Sequence, residues 1–117
     1  MSYVDFLQQK AVTAPLRGLS AVPELAGHLF PFQRSCVEFG LRAGSWGLFL
    51  DTGLGKTACE LEWCHHASVE TKAPALILTP LAVARQIEAE GLRWGYQVRV
   101  IRQQSDVGDG INVCNYD

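Results

Sequence analysis

The stretch Leu50-Asp51-Thr52-Gly53-Leu54-Gly55-Lys56-Thr57 decides the fold. The apolar run 46–50 leads into it, and the segment 58–64 that follows has the composition of a helix. This order predicts a strand, a glycine-rich turn and a helix, which is the context that separates a phosphate-binding loop from a chance match. The alternative interpretation is a glycine-rich turn that only joins a strand to a helix.

The residue types of this turn suit a bound phosphate. Gly53 and Gly55 can adopt positive φ angles, so that backbone N–H groups can close around the anion. Lys56 can reach the β- and γ-phosphates of a nucleotide, and the Thr57 hydroxyl can ligate Mg²⁺. The first glycine of the full phosphate-loop pattern is replaced by Leu50. This departure weakens the assignment to the broad class and points to a subgroup within it.

The composition is that of one folded domain. The 117 residues are 48% hydrophobic and 19% charged, which argues for a buried core and against disorder. The net charge of −2 excludes a generally basic surface, so that any binding to nucleic acid has to be local. No apolar segment approaches the ~20 residues that span a bilayer, and no signal peptide is visible. We therefore expect a cytoplasmic protein without a membrane partner.

The chain has four cysteines, Cys36, Cys59, Cys64 and Cys114. Their spacing is that of neither a zinc site nor a disulfide framework. Cys36 and Cys114 lie in apolar patterns and are predicted to be small buried residues. Cys59 and Cys64 precede His65 and His66, which invites a metal-site interpretation, but only helical positions three or four apart share a face. We do not expect a metal site at this cluster.

Residues 1–22 are predicted to form an N-terminal arm and connector, and residues 23–117 the domain. Within the domain, Pro31 suits the first turn of a helix that ends near Gly44. The helical spacing of this segment predicts one packed face, made of Phe32, Cys36, Phe39 and Gly40.

Gln33 lies 23 residues before Lys56. A carboxamide can pair with both N6 and N7 of adenine, which makes Gln33 a candidate for base recognition upstream of the phosphate loop. The alternative is an ordinary glutamine that faces solvent in the first turn of a helix.

Strands and helices alternate after the loop. The segments 73–79, 97–101 and 111–115 are predicted strands, and 81–94 is a predicted helix with Val83, Ile87, Gly91 and Trp94 on one stripe. A turn-rich loop occupies 104–110. With the strand predicted at 46–50, this alternation indicates right-handed crossovers and a parallel sheet.

Four motifs occur in one order: Phe30-Pro31-Phe32-Gln33, the loop 50–57, Leu78-Thr79-Pro80-Leu81 and Val113-Cys114-Asn115-Tyr116-Asp117. Together they resemble the N-terminal half of the first RecA-like domain of a superfamily 2 DNA helicase, similar to the Swi/Snf-like helicases of bacteriophages and prophages. A loop that lacks the leading glycine is typical of this group. The resemblance implies an α/β fold, a partial RecA-like P-loop NTPase domain with a mostly parallel sheet flanked by helices, in a bacterial or phage-infected cytoplasm.

The resemblance also implies ligands and roles. ATP would be bound by Gln33, Thr52, Gly53, Leu54, Gly55, Lys56 and Thr57. Lys56 and Thr57 would be the catalytic groups, and Thr57 the Mg²⁺ ligand. DNA would contact Thr79, Pro80, Asn115 and Tyr116.

Simpler interpretations exist for the DNA-contact residues. Thr79 and Pro80 equally suit a turn that ends a strand and caps a helix, and Tyr116 a packed aromatic residue of the core. The arginines after the loop could supply local positive charge or simply form a scattered solvated surface: Arg85, Arg93, Arg99 and Arg102.

Phosphoryl transfer needs groups that these 117 residues do not contain. No Asp-Glu pair follows an apolar run, and the second RecA-like lobe with its arginines would lie outside the chain. We therefore expect a segment truncated before the Asp-Glu (Walker B) motif, which binds nucleotide weakly and turns it over negligibly. The alternatives are a non-catalytic nucleotide-binding module and a different P-loop ATPase.

Overall fold

The computed structural model describes residues 2–10, 16–50 and 55–116. These residues form helices α1 (Tyr3–Lys10), α2 (Pro31–Ala43), α3 (Lys56–Thr71) and α4 (Leu81–Arg93) and strands β1 (Ala75–Thr79), β2 (Val98–Val100) and β3 (Ile111–Asn115). A short 3₁₀ turn spans Gln104–Asp106. In the described ranges, no helix combines the length and the apolarity that crossing a membrane requires.

The three strands form a parallel sheet in the order β1-β3-β2. Ala75 pairs with Ile111 at one end of the β1–β3 ladder, and Thr79 pairs with Asn115 at the other. The α/β architecture with a parallel sheet is therefore confirmed, and the strands predicted at 73–79, 97–101 and 111–115 all form.

The strand predicted at 46–50 is wrong. The segment has no strand partner among the described residues, although Trp46 and Leu48 face β1 across a groove. Leu48 and Leu50 pack instead on the cluster of α2 and α3, while the intervening Phe49 is 96% exposed. The apolar run that predicted a strand thus packs against helices, without a hydrogen-bonded ladder.

The main core lies between one face of the sheet and helices α3 and α4. Leu61 of α3 and Ile87 of α4 meet Ile77 and Val113 of the sheet there. Helix α4 lies close to β2 at Gly91, where a Cβ atom would lie 2.5 Å from Val98 Cγ2. A residue without a side chain is therefore what allows this helix to sit against the strand.

The opposite face of the sheet is exposed along β1, whereas on β3 the Asn112 side chain is buried and hydrogen-bonded to Gly108. Leu76 and Leu78 alternate with the buried Ile77 along β1, and they are 58% and 60% exposed. Because successive side chains of a strand point to opposite faces, α3 and α4 together cover only one side of this sheet.

A second core joins α2 to the start of α3. Val37 and Leu41 of α2 pack there against Leu29 and Cys59. The connector is tied to the same helix, since the Leu19 N–H donates to the Leu41 carbonyl at 2.8 Å.

Two predicted helix faces are partly wrong. Helix α2 buries Gln33, Val37, Gly40 and Leu41, whereas Phe32 and Phe39 are exposed. Helix α4 buries Ala84, Ile87 and Gly91, but Trp94 is 42% exposed. In both helices the buried positions are mostly small or branched residues, whereas the large aromatic side chains of the predicted stripes are exposed.

The prediction that Cys36 and Cys114 are buried is wrong. Cys36 and Cys114 are only half-buried, while Cys59 and Cys64 of α3 are buried. Helix α3 lies between α2 and the sheet, so that its neighbours bury Cys59 and Cys64.

Candidate functional site

A cleft of about 500 Å³ opens beside the start of α3. It is lined by Gly55, Lys56, Thr57 and Ala58, by Gln33 of α2, and by Gln86, Glu90 and Arg93 of α4. Three aromatic rings, those of His28, Phe30 and Trp94, complete the lining. The cleft therefore combines a helix N-terminus and two cations with aromatic surface.

Helix α3 begins as the loop pattern predicts. Gly55 is its N-cap in the left-handed region, with φ of 78°, and Lys56 is its first residue. The first N–H groups of a helix lack partners within the helix and carry a partial positive charge, which suits an anion. Lys56 is exposed and Thr57 is half-buried. The predicted ligands Thr52, Gly53 and Leu54 lie outside the described residues.

Gln33 lies against Gly55, the N-cap of α3. Its side chain is buried, and its Oε1 accepts the Phe30 N–H at 2.9 Å. Its Nε2 lies so close to Gly55 that a Cβ atom there would overlap it. The alternative of a solvent-facing glutamine is therefore wrong, because the side chain is buried. The fold brings two motifs that are distant in sequence together at this point.

The aromatic side of the cleft was not found from the sequence. The Trp94 indole stacks on the His28 imidazole with ring centroids 4.4 Å apart and planes at 15°. The Arg93 guanidinium lies 5.0 Å from the centroid of the indole. Trp94 and His28 are far apart in sequence, so no local pattern could have paired them.

A buried hydrogen-bond network lies behind these rings. Glu62 of α3 accepts hydrogen bonds from the Tyr96 hydroxyl, from His66 Nε2 at 2.5 Å and from the Ala26 N–H at 3.2 Å. Burial raises the pKa of Glu62, but these bonds outweigh burial and leave the pKa below its ordinary value. Burial and the Glu62 carboxylate both raise the pKa of Tyr96. The pair is thus a carboxylate and a neutral phenol.

The direction of the next bond follows from this pairing. The Tyr96 hydroxyl proton is donated to Glu62, so the 3.2 Å contact between Tyr96 Oη and His28 Nε2 requires the imidazole to donate. This contact sets the tautomer and the plane of the ring on which Trp94 stacks.

The four residues predicted to contact DNA come together at the carboxyl ends of β1 and β3. Thr79 is paired with Asn115, and the Tyr116 N–H donates to the Thr79 carbonyl at 3.2 Å. Tyr116 is 68% exposed, so its interpretation as a core aromatic residue is wrong. Pro80 is the exposed N-cap of α4, whereas Thr79 is buried and its hydroxyl donates to the Pro80 carbonyl at 2.7 Å.

The predicted Mg²⁺ ligand fits a nucleotide-dependent site. No group of three or more His, Cys, Asp or Glu side chains with metal-binding geometry occurs within the described ranges. Thr57 lines the cleft and can offer one hydroxyl oxygen. Mg²⁺ bound with a nucleotide commonly takes its other ligands from phosphate oxygens and water, so one protein hydroxyl suits it.

Two of the four arginines considered as local cations are already engaged. Arg85 pairs with Glu88 at 3.1 Å, and Arg99 Nη1 donates to the Asp109 carbonyl at 2.5 Å. Arg93 is the one that lines the cleft.

No protein-family model matches this chain, and no solved structure matches it significantly.

Proposed function

We propose that this chain is the nucleotide-binding part of an ATP-dependent DNA translocase of superfamily 2, with a partial RecA-like fold. The observation that supports it best is the junction of Gln33 with Gly55 at the start of α3, inside the cleft that Lys56 and Thr57 line. Two motifs that the sequence associates only by their order thus meet at one site.

In this proposal the triphosphate of ATP binds over the N-terminus of α3. The free N–H groups of the first turn and the Lys56 ammonium bind its oxygens. Thr57 holds Mg²⁺, which neutralises charge on the phosphate oxygens when bound. The nucleoside occupies the rest of the cleft, toward the aromatic residues.

The proposed DNA contact lies at the carboxyl ends of β1 and β3. Helix α4 begins behind Pro80, and the partial positive charge at the N-terminus of this helix favours a backbone phosphate. The exposed Tyr116 ring can stack on a base. Because the net charge is −2, binding through this edge is weak and local.

Hydrolysis is not expected from these 117 residues on their own. The sequence has no Asp-Glu pair after an apolar run, and an arginine finger from a second lobe is worth about 10³–10⁵ in rate. In the proposed translocase, closure of two lobes on ATP drives stepping along DNA.

The first test is titration calorimetry with ATP and with inorganic tripolyphosphate, both with Mg²⁺. We expect Lys56→Ala to weaken both ligands about ten-fold or more, because it removes a charged hydrogen bond. The control is Lys72→Asn at the opposite end of α3, where the left-handed backbone (φ of 54°) tolerates asparagine. Equal affinities of wild type and Lys56→Ala would refute nucleotide binding at this loop.

The second test measures binding of a fluorescein-labelled single-stranded oligonucleotide by anisotropy. We expect Tyr116→Ala to weaken binding about five-fold or more through lost stacking. The matched control is Tyr3→Ala, which removes a similarly exposed tyrosine from α1. Nucleotide binding without any Tyr116-dependent DNA binding would favour the non-catalytic nucleotide-binding module.

A further inference from the structure

We propose that Trp94 is the residue on which the base of the bound nucleotide stacks, and that Gln33 positions the phosphate loop instead of reading the base. This inference rests on the proposed function, because it assigns the second half of the same cleft. It names an aromatic base-stacking site whose selectivity among purines is low.

Trp94 has the exposure that a stacking residue needs. It follows the last residue of α4 and lines the same cleft as Lys56 and Gly55. It is 42% exposed, although α4 packs on the sheet through Ala84, Ile87 and Gly91. The core therefore buries this indole only in part, and its exposed part lines the cleft.

The indole is held in place from behind. His28 occupies one face, and the hydrogen bond from His28 Nε2 to Tyr96 fixes the imidazole plane. Tyr96 in turn donates to Glu62, which is buried in α3. Helix α3 also begins with Lys56. One rigid helix thus carries the phosphate-binding lysine and anchors the network behind the stacking ring.

The other face of the indole is covered by a side chain that a base would have to displace. Because His28 stacks on one face, the Arg93 guanidinium lies over the opposite one, 5.0 Å from the ring centroid. Arg93 extends from the exposed end of α4 on a flexible side chain. An incoming purine can displace it and gain stacking on the indole.

Gln33 is badly placed for base recognition. Bidentate pairing with adenine needs both its Oε1 and its Nε2. Its Oε1 already accepts the Phe30 N–H, its Nε2 lies against Gly55, and the side chain is 4% exposed. These contacts join the first turn of α2 to the N-cap of α3, which is the role of a positioning residue.

Calorimetric titrations of ATP and tripolyphosphate separate the two subsites. We expect Trp94→Leu to weaken ATP about 5- to 150-fold, the range for loss of one stacked base, and to leave tripolyphosphate unchanged. Trp94→Phe should retain most of the ATP affinity. Trp46→Phe is the control, because Trp46 packs on Gly40 away from the cleft. Gln33→Ala should weaken ATP, GTP and tripolyphosphate by the same factor.

A spectroscopic readout is independent of variant folding. In ¹H–¹⁵N spectra, the Trp94 indole N–H should shift on addition of adenosine or ATP but not of tripolyphosphate, while the Trp46 and Trp63 signals stay in place.

The proposal is overturned if adenosine leaves the Trp94 signal unmoved, if Trp94→Leu weakens ATP and tripolyphosphate equally, or if Gln33→Ala removes only the preference for ATP over GTP. A different result would refute the phosphate site alone: Lys56→Ala binds tripolyphosphate as tightly as the wild type, while adenosine still shifts the Trp94 signal.

Discussion

At the scale of single residues, burial decides the chemistry of the cysteines. Burial raises the pKa of Cys59 to about 11 and that of Cys64 to about 12. The thiolate is the reactive form, so both side chains are unreactive near neutral pH. Cys36 and Cys114 are half-buried.

We therefore expect iodoacetamide at pH 8 to alkylate Cys36 and Cys114 of the native protein, and to reach Cys59 and Cys64 only in denaturant. Peptide mapping by mass spectrometry identifies the labelled positions. Labelling of Cys59 in the native protein as rapid as that of Cys36 would contradict the buried position of α3.

The free energy of unfolding depends on pH through Glu62. Its pKa in the folded protein lies below the ordinary value of 4.5, so the carboxylate stabilises the fold above pH 4.5, and this contribution is lost as the pH falls through the lowered pKa. Glu62→Gln should cost about 1.5–3 kcal/mol at pH 7, the worth of a hydrogen bond to a charged group.

Urea unfolding at a series of pH values tests this expectation. The free energy of unfolding of the wild type should fall more steeply below pH 4.5 than that of Glu62→Gln. Parallel curves for the two proteins would show that Glu62 is not the titrating group.

At the scale of elements, the packing of α4 on β2 depends on Gly91. A Cβ atom there would lie 2.5 Å from Val98 Cγ2, on a β-branched side chain that cannot rotate away freely. Overpacking costs about 1–3 kcal/mol, against a gain of about 0.5–1 kcal/mol for replacing a helical glycine by alanine.

We expect Gly91→Ala to be destabilising on balance, as measured by the midpoint of urea unfolding. The control is Gly27→Ala, where a Cβ atom would meet nothing within 4 Å, and which should be close to neutral. A more stable Gly91→Ala protein would mean that α4 and β2 lie further apart.

The elements themselves were largely predictable, and the reason is local. Pro31 and Gly44 mark the ends of α2, and the apolar run at 75–79 leaves little choice but a buried strand. The run 46–50 has the same appearance, yet it is not a strand in the fold. A strand forms only with a hydrogen-bonding partner, and the sequence of the segment alone does not specify that partner.

At the scale of the whole molecule, the outer face of the sheet is exposed along β1. Parallel sheets usually have both faces covered, but here α3 and α4 lie on the Ile77 side, and Leu78 faces outward. Neighbouring positions of one strand therefore differ sharply in environment.

We expect Ile77→Ala to cost about 2–5 kcal/mol in the free energy of unfolding, and Leu78→Ala to stay within about 0.5 kcal/mol, as for exposed positions. Chemical denaturation of the two variants provides the comparison. Equal losses would indicate that the outer face of the sheet is covered in solution.

The site was predictable only where it is local in sequence. Lys56 and Thr57 follow from their own motif, whereas motif order predicted Gln33 as an adenine contact and not its position against Gly55. Trp94, His28 and Tyr96 join the site through contacts across the fold, and the helical stripe assigned Trp94 to the core. A large aromatic side chain such as Trp94 suits either a core position or the lining of a cleft, and only the three-dimensional position of α4 distinguishes the two.

Under the proposed function, the register that sets Thr79 opposite Asn115 also limits how much DNA this chain can contact. Adjacent strands lie about 4.8 Å apart, whereas successive nucleotides of a duplex strand rise about 3.4 Å. Under the proposed function, both strand ends would therefore fall within a footprint of one or two nucleotides. A grip this narrow releases few counterions, so its affinity would change little with salt, and processive movement would depend on a second point of attachment.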